Sequence, residues 1–142
     1  MALSVLESKA KENFDVAESI KDSKKNAAVS RYYYACLLAV KSYPINDGFI
    51  TENDIRTANY NGTGTHKYLI KKFKNRFEKH PDYRIYNNRF RKIESIREAR
   101  NRADYDDDIN YNSPRYSVEF AQVISDVRQF TNILKNYCSS PF

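Results

Sequence analysis

An all-α fold, an antiparallel bundle of four main helices with one short extra helix, is the architecture this sequence predicts, and three observations carry it. Apolar residues recur at three- and four-residue spacing in five separate segments, the period of a helix with one buried face. Only 3 Gly and 4 Pro occur in 142 residues, too few for the many tight turns of a strand-rich chain. Hydrophobic residues make up 41% and charged residues 30%, so a core can form, and this length suits one domain, 1–142.

The first helix carries the stripe Leu3, Leu6, Ala10, Phe14, Ala17 and Ile20. The second, roughly Ala27 to Tyr43, is apolar nearly all round, as expected for a central helix, with Pro44 and Gly48 ending it. A long connection follows to Thr65. In it Thr51-Glu-Asn-Asp can open a short helix, whereas Asn59-Tyr-Asn-Gly-Thr-Gly is loop. Thr65 suits the N-cap of a third helix with Leu69, Ile70, Phe73 and Phe77, stopped near His80-Pro81. A fourth starts near Asp82 with the stripe Tyr83, Tyr86, Phe90, Ile93, Arg97 and Arg100, turning from apolar to arginine toward its C-terminus. Asp106 to Pro114 is loop, Ser113 and Pro114 fitting a cap and first turn. The last helix carries Tyr116, Phe120, Val123, Val127, Phe130, Leu134 and Tyr137.

The sequence argues against several classes of protein. The longest apolar run, around Ala35–Val40, is far too short to span a bilayer, and the N-terminus does not read as a secretory signal. Two cysteines, Cys36 and Cys138, make no disulfide framework and fit a reducing, cytoplasmic setting. No Cys/His/carboxylate cluster has zinc-ligand spacing, no phosphate loop or nucleophile elbow is present, and no cofactor is implied. The run Asp104, Asp106, Asp107, Asp108 reads either as a solvated loop or as a Mg²⁺ ligand set.

Charge is unevenly placed. From Lys67 to Arg102 there are 13 Lys/Arg against 4 Asp/Glu, while the rest of the chain holds 11 against 14. Such a segment is either a solvated helical face or a surface for a polyanion, nucleic acid first. Arg89, Lys92, Arg97 and Arg102 are the candidate nucleic-acid contacts. Arginine on an inner stripe needs a partner or an anionic ligand, because an unpaired buried guanidinium is costly. Arg100, with Asn101, Asp104 and Tyr105 beside it, is therefore either half of a structural ion pair, Arg100 or Arg31 with Asp104, or part of a phosphate-gripping site.

Three of these segments resemble the HEPN family. Ser30-Arg31-Tyr32-Tyr33-Tyr34-Ala35 is similar to its Arg-x-Tyr-Tyr-Ala signature. Thr65-His66 with Phe73 resembles the start of the family's third helix, and Arg100 to Tyr105 resembles the Arg-x-x-Ala-Asp-Tyr motif of one branch. The resemblance spans roughly residues 20–135. It implies a helical bundle that commonly forms a homodimer and is often encoded beside a minimal nucleotidyltransferase in toxin–antitoxin or phage-defence loci. In active HEPN ribonucleases, Arg, often followed by Asn, precedes a His, and paired copies cleave RNA without metal. On that pattern Arg100 and Asn101 match, Asp104 and Tyr105 position the site, and Tyr105 stands where the histidine would be.

A phenol with pKa near 10 is a poor general base at pH 7, although it can orient a 2′-hydroxyl, stack on a base or accept a nucleotidyl group. His66 reads as a structural residue at a helix start. Two functions follow: an RNA- or nucleotide-associated protein, with metal-independent endoribonuclease activity as a dimer, or a non-catalytic module that partners a nucleotidyltransferase.

Overall fold

The computed structural model describes residues 4–47, 51–62, 64–77, 81–135 and 142. All regular structure among these residues is helical: α1 (Val5–Ile20), α2 (Lys25–Asp47), α3 (Glu52–Tyr60), α4 (Thr65–Phe77), α5 (Tyr83–Phe90), α6 (Lys92–Tyr105) and α7 (Ser117–Leu134), with a single 3₁₀ turn, Pro114–Tyr116, leading into α7. No described helix is long and apolar enough to cross a membrane.

Helix α1 starts on a capping box. Ser4 Oγ accepts the Glu7 N–H at 3.2 Å, and the Glu7 carboxylate accepts the Ser4 N–H at 3.3 Å, which gives the buried Glu7 a partner. Its stripe buries Ala10 and Ala17 and half-buries Leu6, Phe14 and Ile20 as the spacing requires; Leu3 lies outside the described residues. A short turn folds α2 back along it. Phe14 meets Tyr32 edge-on, Tyr32 donates to Glu18 at 2.7 Å, and Arg31 donates to Asn13 at 3.1 Å.

Helix α2 is the central element, packed against α1, α4, α6 and α7. Ala28, Val29, Tyr32, Tyr33, Ala35, Cys36, Ala39 and Val40 are all buried, in keeping with its all-round apolar character. It does not end at Pro44 but continues to Asp47. Proline removes one rung of the ladder, yet a final turn can form beyond it.

The long connection holds α3, capped by Thr51 and Asp54 in a second capping box and closed by Gly62 at φ +88°, a left-handed position suited to glycine. Helix α4 has Thr65 as its first residue, not as the cap before it, and is described as far as Phe77. His80 lies outside the described residues, as does Cys138.

The single fourth helix expected from Asp82 is two helices, α5 and α6, parted at Arg91. The Arg91 N–H bonds to the Asn87 carbonyl at 2.9 Å, but the Glu94 N–H reaches back only three residues, to Arg91, at 3.0 Å. The change from four- to three-residue spacing breaks the ladder without proline or glycine, so apolar periodicity runs through it unmarked. The buried stripe of α6 is Ile93, Ile96 and Ala99, one step round from the expected Ile93, Arg97 and Arg100. Phe90 of α5 sits against Phe130 of α7 with ring centroids 5.5 Å apart.

Between α6 and α7 the chain is tied down by two asparagines. Asn26 Oδ1 accepts the Tyr111 N–H at 2.7 Å, and its Nδ2 donates to Ile109 O at 3.1 Å and Ala103 O at 3.4 Å. Asn112 Oδ1 accepts the Lys25 N–H at 3.0 Å and its Nδ2 donates to Ser23 O at 3.2 Å, so a residue from the far end of the chain caps α2. Ser113 and Pro114 take the cap and first-turn positions expected of them. Helix α7 then buries Phe120, Val123, Val127, Phe130, Ile133 and Leu134. The expected Tyr137 lies beyond its end and outside the described residues.

Candidate functional site

Helix α2 places Ser30, Tyr33 and Tyr34 on the side that faces α6, since residues three and four apart share a face. Ser30 Oγ donates to Asp104 Oδ2 at 3.1 Å, and Tyr34 Oη accepts from Arg100 Nη2. One turn forward along α2 is thus one turn back along α6, which makes the pair antiparallel and brings two segments some seventy residues apart in sequence onto one spot.

Arg100 is the centre of that spot, its side chain only 16% exposed. Nη1 donates to Asn101 Oδ1 at 2.8 Å. Nε lies 3.2 Å from Asp104 Oδ2, an ion pair whose N–H is not aimed for a hydrogen bond. The guanidinium carbon lies 5.1 Å from the Tyr34 ring centre and 5.4 Å from those of Tyr33 and Tyr105. Burial works against its charge, but the Tyr34 hydrogen bond and the neighbouring Tyr105 and Asp104 outweigh burial and hold its pKa above the ordinary value. The arginine is therefore a charged strut inside a tyrosine cage. Of the two partners considered for Asp104, it is Arg100 that pairs; Arg31 turns to Asn13.

Behind the cage, Tyr33 and His66 meet. The Tyr33 hydroxyl and His66 Nδ1 are 3.0 Å apart in a buried hydrogen bond joining α2 to α4. Burial, helped by the Arg97 charge, pushes the His66 pKa down to about 4, so its imidazole is neutral at pH 7. Burial also raises the Tyr33 phenol. His66 lines a cleft of about 360 Å³ with Lys67, Glu94, Arg97, Glu98 and Asn101. Arg97 itself is exposed.

The eight residues singled out from sequence thus divide. Arg97, Arg100, Asn101, Asp104 and Tyr105 gather on the side of α6 that faces α2 and α4. Arg102 forms an ion pair with Glu119, and Lys92 Nζ lies 3.9 Å from Asp126, both on the α7 side. Arg89 sits at the α5–α6 break in a second cleft with Arg91, Lys92 and Gln129. The aspartate run does not converge either: Asp104 is turned to Ser30 and Arg100, while Asp106 Oδ1 accepts the Asp108 N–H at 3.0 Å. Among the described residues no group of three His, Cys, Asp or Glu side chains is placed to hold a metal ion.

Sequence reading left Ser30, Tyr33, Tyr34 and His66 out of the site. The three-tyrosine run was the available signal, because its two buried members had to bond their hydroxyls to something polar on a neighbouring helix. Tyr32 does so with Glu18 and Tyr33 with His66. Comparison with protein-family models, curated proteins and solved structures finds no match to this chain.

Proposed function

We propose that the chain is a HEPN-like, RNA-associated protein of the toxin–antitoxin or phage-defence kind, acting as a homodimer, whose RNA-facing surface is the α6 side bearing Arg97, Asn101 and Tyr105. One observation carries the reading: the Ser30–Tyr34 segment of α2 and the Arg100–Tyr105 segment of α6, the parts that resemble the family, form one polar constellation around Arg100. The concentrated positive charge of residues 67–102 supports a polyanionic partner.

The same geometry bears on chemistry. Metal-independent cleavage needs a base to take the 2′-hydroxyl proton and an acid for the leaving oxygen. Tyr105 is exposed, and at the place of the motif histidine it supplies a phenol in place of an imidazole. His66 is neutral, with Nδ1 held by Tyr33, so it offers no proton to a leaving group at that pH. RNA binding is thus better supported than RNA cleavage. A non-catalytic module partnering a nucleotidyltransferase is the second reading, favoured by the Arg100–Asp104 pair, which offsets the arginine charge within the chain.

Two assays test this. In EDTA, wild type, Arg100→Ala and Tyr105→Phe are incubated with several RNAs. Products ending in 2′,3′-cyclic phosphate, lost in Arg100→Ala, would make the protein a nuclease. In the binding assay, affinity for single-stranded RNA should fall steeply between about 50 and 200 mM salt if several phosphates are contacted. The absence of any RNA binding at low salt would overturn the reading and favour the protein-partner module.

A further inference from the structure

Arg100 is poorly placed to be the residue that grips phosphate. Three of its nitrogens already face groups of this chain, its charge is matched by Asp104, and little of it reaches solvent. What it does present is aromatic. Tyr105 packs against the guanidinium and yet remains 72% exposed, and Tyr34, hydrogen-bonded to the same group, is 36% exposed. Exposed rings held against a partly buried cation cost less to keep in one orientation than free surface tyrosines, whose side chains lose rotamer freedom on binding. A guanidinium against one face of the Tyr105 ring leaves the other face available.

We infer that Tyr105, positioned by Arg100 and flanked by Tyr34, is a stacking platform for an unpaired base of single-stranded RNA, with Arg97, about two turns back along α6, supplying a phosphate contact further along the strand. The inference rests on the RNA-binding reading and adds to it the part of the ligand that is recognised. Base–aromatic stacking tolerates any base, since each has a π-face, so the platform selects unpaired strands over duplex and carries no sequence preference. Arg100 is here a positioning residue. Its removal would free the Tyr105 ring without deleting it.

The test uses the full chain and two labelled ligands of equal length, an oligouridine and its abasic counterpart, which carries the phosphates but no bases. Wild type is expected to prefer the oligouridine by about tenfold or more, the worth of one stacked base. Tyr105→Leu should abolish that preference, Tyr105→Phe should keep it, and Arg100→Gln should weaken it while the Tyr105 ring is still present. Arg97→Ala should weaken both ligands alike. Equal binding of the two ligands by wild type would overturn the platform and leave phosphate binding standing. Failure to bind either ligand would overturn both the platform and the RNA reading. A preference unchanged in Tyr105→Leu would also overturn it, placing the stacking elsewhere. Because Tyr105 is exposed, its variants should fold, which circular dichroism verifies.

Discussion

The Tyr33 hydroxyl and His66 Nδ1, 3.0 Å apart, form a buried link between α2 and α4, and the imidazole in it stays neutral down to about pH 4. In the unfolded chain that histidine titrates near 6.5. Between those values the unfolded state binds the extra proton, so this contribution to stability is complete above about pH 6.5 and is lost as pH falls toward 4. The loss should be on the order of 2 kcal/mol, allowing for partial solvent screening. Urea denaturation at pH 7, 6, 5 and 4 measures it. The wild-type slope should exceed that of His66→Gln, and equal slopes would place the link outside the pH response.

Arg100→Ala should lower stability by about 1–3 kcal/mol, since it removes an ion pair, a charged hydrogen bond to Tyr34 and contacts with three rings. Arg100→Lys should recover less than half of that. An ammonium is a point charge and cannot face Asn101, Tyr34 and Asp104 at once as the planar fork does. Thermal melts of the two variants side by side would decide it.

The two arginines that flank Arg100 should behave differently toward RNA. Arg97 is exposed beside the cleft, so Arg97→Ala should weaken binding and reduce the salt slope by about one. Arg102 is committed to Glu119 on the α7 side, so Arg102→Ala should leave the slope unchanged. Salt titrations of binding for both variants provide the check; a shared loss of slope would mean that both faces of α6 meet the ligand.

Asn26→Ala should cost about 2 kcal/mol, because it strips partners from the Tyr111 N–H and the carbonyl of Ile109, a buried residue. Asn112→Ala, which removes an exposed cap of α2, should cost about 1 kcal/mol. Hydrogen exchange should report faster opening of residues 106–113 in the first variant and of the start of α2 in the second.

Much of this was legible beforehand, for reasons that differ by residue. Ala10, Ala17, Val123 and Val127 lie on stripes whose period is dictated by the helix itself, so their burial follows from spacing alone. The break at Arg91 was not legible, because it depends on which neighbours α5 and α6 pack against and has no proline or glycine to mark it. Arg97 and Arg100 share a stripe on paper, yet Arg97 lies at the surface while Arg100 is held between α2 and α6. Burial of Ile93, Ile96 and Ala99 sets the rotation of α6, and it leaves the two arginines on the same side of the helix, both beside Tyr33, but at different depths. The Arg100–Asp104 pair was legible because it is local, four residues along one helix. The Tyr33–His66 bond was not, because nothing in either segment names its partner.

The cap that Asn112 supplies to α2 sets an order of events during synthesis. A nascent chain exposes the α1–α2 hairpin first, with the Lys25 N–H lacking this cap and with Ser30 and Tyr34 facing water where α6 will lie. Those side chains acquire their partners only after Asp104 and Arg100 have left the ribosome, and the start of α2 is closed later still. Contacts between segments so far apart along the chain form slowly, since the intervening loop must close before they repay its entropy. A ribosome-bound chain that stops short of α6 therefore carries a helical hairpin whose Ser30 and Tyr34 still lack their partners, and the polar constellation around Arg100 assembles only when the second half of the molecule has docked.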